Sequence, residues 1–388
     1  MSKIVIVGGG PAGLMAAERA ALRGHNVILL EAKPSVGRKF LMAGVGGLNI
    51  THSEDYASFL NRYHGGANTL RRALDTFTPS AYRNWCHSLG IDTFVGSSGR
   101  VFPTSMKASP LLRAWLKRLN ELGVTICTRH RWTGLDGHTI KVVHEGHNKH
   151  YPYEKLILAT GGASWSNLGS DGKWTDILAA QSLSLVPFEA ANCGFVVNWS
   201  PYMASCYGKP LKNVELSWQF NGTQHKRVGE LRLDSKGIEG GLVYFASNHI
   251  RRTINEKGYC DITLNLLPNL SRTQIEKKLC SKPEKKSLSA HLKSKLKLSP
   301  AALTLFNERR HEDVINSLCS LKLRCIATFP LERAISSVGG VGWDLIDDNF
   351  QILPDVYAIG EMLDWDAPTG GYLLTACMAM GYYVGNAV

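Results

Sequence analysis

Residues 3–31 constrain this chain more than any other stretch. A short β-branched run, Lys3 to Val7, breaks into Gly8-x-Gly10-x-x-Gly13, and the Ala-rich segment from Pro11 to Leu22 follows as a helix. Gly8 permits the tight turn, Gly10 lets the backbone approach a pyrophosphate with no Cβ in the way, and Gly13 lets helix and strand pack closely. Pro11 suits the first helical turn, where its missing N–H would have had no partner. The free amides around Pro11 and Ala12, with the positive end of the helix dipole, form an anion site. Asn26 to Leu30 reads as a second strand, and Glu31 lies 18 residues after Gly13, close to the spacing at which an acid accepts hydrogen bonds from a ribose 2′-OH. A carboxylate there would repel a 2′-phosphate. A glycine turn alone is weak evidence, but the strand before it, the helix after it and the acid together predict an α/β fold with an ADP-ribose-type site.

The rest of the chain must house that unit and at least one other, since 388 residues fit two domains. With 44% hydrophobic and 20% charged residues, the composition is that of an ordinary globular protein. The nine cysteines are odd in number and include no C-x-x-C pair, which argues against a disulfide framework or a zinc site and for a reduced, cytoplasmic setting. No targeting or membrane-spanning run is read, and no membrane partner is expected. The net charge of +12 is concentrated between Arg272 and Lys297, where nine basic residues face only Glu276 and Glu284. Such a stretch either tracks phosphates or is a solvated helical face; the lack of interleaved aromatics favours the second.

Along the chain, Gly37 to His52 is a loop with no apolar periodicity, and its glycines suit close approach to a ligand. Gly46 belongs to that approach, Lys39 is placed to pair with a pyrophosphate, and Asn49 to hydrogen-bond a ring system or ribityl chain. Residues 70–89 predict an amphipathic helix interrupted near Thr78-Pro79, and Met106 to Leu122 a second helix, with a hairpin-like Phe94 to Pro103 between them. Gly123 to Trp132 reads as a strand returning to the nucleotide unit, and Trp132 is counted among the cofactor-binding residues. A β-meander from Gly134 to Tyr153 leads into Lys155 to Gly162, a buried strand that breaks at Thr160-Gly161 beside the first glycine turn, and a helix is expected from Asp171 to about Leu183. From Pro187 to about Asn265 the pattern becomes alternating, with Asn221-Gly222 as a hairpin turn; Ser271 then caps a helical insertion reaching about Leu321. Finally Asp355 to Glu361 reads as a strand ending in Gly360-Glu361, and Gly370-Gly371-Tyr372 opens the last helix. NAD is too short to need this second ligand-like region. FAD is not: its pyrophosphate would rest on the first helix, its ribityl chain near Glu361 and its isoalloxazine at the start of the last helix.

The expected architecture is an FAD-binding Rossmann-like, three-layer domain made of residues 1–186 and 334–388. Residues 187–333 form an inserted, mostly β substrate domain (β 187–265) with a small helical insertion at about 266–321.

Seven stretches together resemble the BaiN/YhiN-like family of bacterial flavoproteins, which includes a bile-acid reductase and a ribosomal-RNA dihydrouridine synthase. They are Gly8-x-Gly10-x-x-Gly13, Gly37-Arg-Lys39, Gly44-x-Gly46-x-x-Asn49, Ala159-Thr-Gly-Gly162, Asp261 to Ser271, Gly360-Glu-x-x-Asp364-x-Asp366 and Thr369-Gly-Gly-Tyr372. The resemblance spans essentially the whole chain. It implies an FAD-dependent oxidoreductase, with NADH or NADPH as transient reductant, reducing an electron-poor C=C bond of a small enone-like molecule. Its alternatives are reduction of uridine in ribosomal RNA, gripped through the basic stretch 272–297, and a flavin-bearing RNA-binding or redox-sensing protein without turnover. The family commonly carries Arg-Cys before the loop Asn, where this chain has Gly47-Leu48, so that cysteine's proton-donor role does not carry over. Tyr372, His52 and Lys107 are the other proton-donor candidates.

Overall fold

The computed structural model describes residues 2–280 and 287–388. Lys282, Lys285 and Lys286 of the basic stretch lie outside them. The chain divides into two compact units, one of residues 1–190 with 335–388 and one of residues 191–334.

The first unit is built on a six-stranded sheet in the order Gln351–Leu353, Val356–Ala358, Lys155–Leu158, Lys3–Val7, Asn26–Glu31, Thr125–Thr128. All neighbours are parallel except the first pair. Parallel strands are buried on both faces, which explains why Ile4, Val5, Ile6 and Val7 form an unbroken apolar run rather than an alternating one. Helix Pro11–Leu22 packs on this sheet, and its buried Glu18 is held by the Trp85 indole at 3.1 Å and by Arg118 at 3.2 Å. The predicted break at Thr78-Pro79 separates helices Ala67–Thr76 and Pro79–Ser88: the Thr78 hydroxyl caps the second, whose Pro79 takes the first turn. Helix Ala108–Glu121 lies within the predicted 106–122. The meander forms strands His130–Asp136, Thr139–His144 and His147–Pro152. Helix Trp174–Ala179 is shorter at both ends than the reading of 171–183.

The second unit centres on a seven-stranded sheet whose neighbours pair antiparallel. Its longest strands, Pro210–Phe220 and Thr223–Asp234, are joined at Asn221-Gly222, both with positive φ, as a two-residue hairpin requires. One reading needs correction: residues 187–265 are not β throughout, because Gly241–Lys257 is a 17-residue helix. Its buried Leu242, Val243, Ala246 and Ile250 recur at helical rather than strand spacing. The helical insertion consists, among the described residues, of Arg272–Leu279, Leu288–Leu296, Pro300–Arg309 and Val314–Cys319. Ser271 caps the first of these in a reciprocal capping box with Gln274.

Candidate functional site

Two cavities in the first unit share Pro11, Lys39, Glu361 and Cys377 and so form one continuous site. The smaller, about 110 Å³, is built largely from glycines and backbone. Gly8, Gly10, Pro11, Ala12, Glu31, Lys39, Thr160, Gly161, Gly360 and Glu361 all line it. The Gly8 amide donates to Leu30 O at 2.8 Å, which folds the turn back over the second strand. A Cβ on Gly13 would stand 2.0 Å from Gly8 O, and one on Gly8 2.2 Å from Ala159 O. Strand, turn and helix can therefore meet only with hydrogen at both positions, and Gly13 acts by packing, since it lines neither cavity. No atom lies within 4 Å of where a Gly10 Cβ would be, so the helix N-terminus faces open space. The first-turn amides of Pro11–Leu22 have no intrahelical acceptors and point toward that space.

Glu31 ends its strand at the rim of this cavity. Its Oε2 accepts from Gly9 N at 2.8 Å and its Oε1 from Lys33 N at 2.7 Å. A carboxylate offers about four acceptor positions, so two remain for a diol. Burial pushes this carboxyl above the usual range, opposed by those two amides and by the charges of Lys33 and Arg38.

The larger cavity, about 430 Å³, is walled by apolar side chains, among them Phe40, Met42, Ala43, Trp165, Ile335, Leu373 and Leu374. Gly370 and Gly371 line it where the 16-residue helix Tyr372–Ala387 begins, which places a second helix N-terminus at its wall. Asn49 also lines it. Both its amide hydrogens are committed, to Thr51 O at 2.8 Å and Val101 O at 3.0 Å, while its buried Oδ1 has no partner. That orientation presents an acceptor and no donor, which suits an imide N–H.

At the junction Lys39 Nζ contacts Glu361 Oε2 at 2.6 Å and Ser164 Oγ at 3.1 Å. Glu361 Oε1 accepts from Ser337 N at 3.2 Å, and Ser337 Oγ from Ala163 N at 2.9 Å. The cation expected at a pyrophosphate is thus paired with the carboxylate expected at a ribityl chain. Cys377, beside them, is half-buried, and burial pushes its thiol up to about 12.

Several expectations fail. Trp132 lines neither cavity; it is buried in the core and its indole donates to Gly134 O at 3.1 Å, because its strand turns that position inward. Gly46 is exposed and lines neither. Tyr372 is turned away into a cluster with His52 and Phe59, its hydroxyl donating to Glu54, which Arg62 holds at 2.7 Å. Burial and that carboxylate raise the Tyr372 phenol well above its usual range. Tyr372, His52 and Lys107 therefore do not line the site as proton donors. Ser164, Trp165, Ser337 and Cys377 were not singled out from the sequence, since each reaches the site only through long-range folding.

The cradle fits FAD: a glycine-lined, amide-rich end with a diol acceptor runs into an apolar end with an unpartnered acceptor. Comparison with known proteins agrees. Over its full length the chain is 27% identical to the 3-dehydro-bile acid delta(4,6)-reductase of Clostridium scindens, covering 99% of that protein. It is 23% identical over 95% of its length to the ribosomal RNA dihydrouridine synthase of Escherichia coli, covering 93% of it. In fold it is similar to the 3-ketosteroid-delta4-(5alpha)-dehydrogenase of Rhodococcus jostii, with TM-score 0.52, 14% identity and coverage of 100% and 96% of the two chains. It is also similar to the 3-ketosteroid delta1-dehydrogenase of Sterolibacterium denitrificans, with TM-score 0.53, 12% identity and coverage of 100% and 99%. A family model described as the HI0933-like protein Rossmann domain matches residues 2–387, and the chain belongs to that family of FAD-binding Rossmann-fold oxidoreductases.

Proposed function

We propose that this protein reduces an electron-poor C=C bond of a small, largely apolar enone-like molecule, with NADH or NADPH as the donor. The observation that carries this is the 430 Å³ apolar cavity, walled in part by the N-terminus of helix Tyr372–Ala387 and continuous with the glycine-lined cradle. In this reading Gly8, Gly10, Pro11, Ala12, Thr160, Gly161 and Gly360 bed the dinucleotide, with Glu31 holding the adenosine ribose. Bound FAD supplies the hydride chemistry. The chain's residues orient and polarise. The amides at the start of the last helix favour negative charge at that end of the cavity, and Asn49 Oδ1 accepts from a ring N–H. Lys39 Nζ, shared between Glu361 and Ser164, holds an exchangeable proton at the junction, and the Phe40, Trp165 and Leu374 walls exclude water. The inserted segment 187–333 serves as the substrate domain in this reading.

The C. scindens relative's named reaction supports a small-molecule substrate, and the chain matches that relative over its whole length. The relatives named as ribosomal RNA dihydrouridine synthases motivate the second reading. Against it, the position before Asn49 is Leu48, fully buried in the core and without an ionisable proton. The test is anaerobic: reduce the purified holoprotein with NADH or NADPH, then mix it with a cyclic enone and with the corresponding saturated ketone. Flavin reoxidation by the enone alone is expected. Failure of either donor to bleach the flavin, or reoxidation by neither compound, rejects the assignment; loss of a dihydrouridine from ribosomal RNA on deletion of the protein would favour the second reading.

A further inference from the structure

We propose that the exposed apolar patch adjoining the larger cavity rests on an anionic lipid surface. Thirteen large apolar side chains lie exposed among the described residues, and six of them (Leu41, Met42, Val45, Phe94, Val95 and Met106) come from two segments, residues 36–48 and 93–107. Val45, at the tip of the first, is 79% exposed. The two segments touch. Leu48 N donates to Met106 O at 2.8 Å, the Gly47 backbone lies against the Met106 methyl and the Phe102 ring, and Phe94 stacks on Phe102 at 5.8 Å. Met42 belongs to this patch and also lines the cavity, so the patch adjoins the cavity wall.

Neither segment contains an acidic residue, whereas Arg100 and Lys107 are exposed within the second. Exposed Asp92 immediately precedes the second segment, its carbonyl accepting from Thr104 N at 2.9 Å, so one acid stands against Arg100 and Lys107; Glu54, on the adjoining strand end, is neutralised by Arg62 at 2.7 Å. A contiguous exposed apolar patch marks an interaction site, and its company decides the partner. Aliphatic tips flanked by unpaired cations suit the headgroup–acyl boundary of an anionic bilayer. They do not suit a second copy, which would bring cation against cation, nor a nucleic acid, for which two cations offer few phosphate contacts. Among the described residues no helix is long and apolar enough to cross a membrane, so the contact is peripheral. It departs from the sequence-based expectation of no membrane partner.

This inference is independent of the proposed reaction. Flavin-loaded protein is mixed with vesicles of equimolar phosphatidylglycerol and phosphatidylcholine, or of phosphatidylcholine alone, and floated at low and at moderate salt. Binding is expected to the anionic vesicles and to weaken with salt. The Val45→Glu/Phe94→Glu variant, with flavin content and melting temperature as in the parent, should lose at least about ten-fold in partitioning. Arg100→Gln/Lys107→Gln should lose roughly five-fold per charge at low salt. Absence of the parent from floated anionic vesicles overturns the proposal, as does a parent-like affinity in both variants. Concentration-dependent dimerisation abolished by Val45→Glu/Phe94→Glu, without vesicle binding, would assign the patch to a second copy instead.

Discussion

At the nucleotide end of the site the surface is backbone, and at the other end it is side chain. Around Gly8, Gly10 and Gly13 the chain removes side chains, which leaves main-chain amides and a helix terminus facing the cavity with one carboxylate, Glu31, at its rim. Around Phe40, Trp165 and Leu374 it does the reverse, walling a larger space with rings and aliphatic groups and leaving one polar atom, Asn49 Oδ1, unpartnered. The first end tolerates almost no change at Gly8 and Gly13, because a Cβ added there meets backbone. The second can be reshaped, because its contacts are the ends of side chains. Such a division would suit the proposed pairing of a fixed cofactor with an adjustable substrate space.

The largest effect should come from violating the backbone end. Gly13→Val places a Cβ where Gly8 O already stands, 2.0 Å away, and should destabilise by about 3 kcal/mol or more while abolishing flavin retention. A variant that purifies yellow with a parent-like melting temperature would show that the turn relaxes freely. Next is Glu31→Ala, which on the proposed ribose contact should lose charge-assisted bonds worth roughly 1.5–3 kcal/mol, or about ten- to a hundred-fold in FAD affinity by flavin titration. Unchanged affinity would detach Glu31 from the ribose.

The same carboxyl gives a pH signature of opposite sign in the two states. Burial raises its folded-state pKa above the usual 4.5, so its contribution to apoprotein stability is fully present below 4.5 and is lost as pH rises through the folded value. FAD affinity should move the other way, weakening as the carboxylate protonates. Stability and affinity curves for parent and Glu31→Ala check this; parallel curves for the two proteins would remove Glu31 as the cause. At the side-chain end, Leu373→Ala should cost only about 1 kcal/mol of stability and raise KM for an apolar substrate with FAD affinity little changed. Loss of flavin in that variant would mean the two ends are not separable. The smallest effect is a null one: with its thiol pushed up to about 12, Cys377 should stay unlabelled by a thiol reagent at pH 8 under conditions where exposed Cys280 reacts. Equal labelling rates by peptide mapping would contradict it.

The same division explains what could be read from the sequence. The glycine turn, Glu31, Thr160-Gly161 and Gly360-Glu361 are legible because each is local: a strand end followed by residues without side chains has few other uses. Lys39 and Glu361 were legible as residues but not as a pair, since 322 positions separate them and only the fold brings Nζ to Oε2. Trp165 and Cys377 carry no local signal, as an indole after a glycine pair or a thiol inside an apolar helix reads as core. Trp132 and Tyr372 were misplaced for a related reason. Each lies on an element that approaches the site, but the side the residue faces depends on strand register or helix phase, and both face the core. Helix Gly241–Lys257 escaped because its polar positions, among them Ser247, Asn248 and Arg251, are themselves buried, which blurs the apolar stripe.

One continuous site, from the glycine turn to the start of the last helix, is expected to hold FAD. Denaturing the purified or flavin-reconstituted protein and identifying the released chromophore by chromatography and mass tests it most directly. FAD released at close to one per chain is the predicted result; FMN, or no flavin after reconstitution, would contradict it.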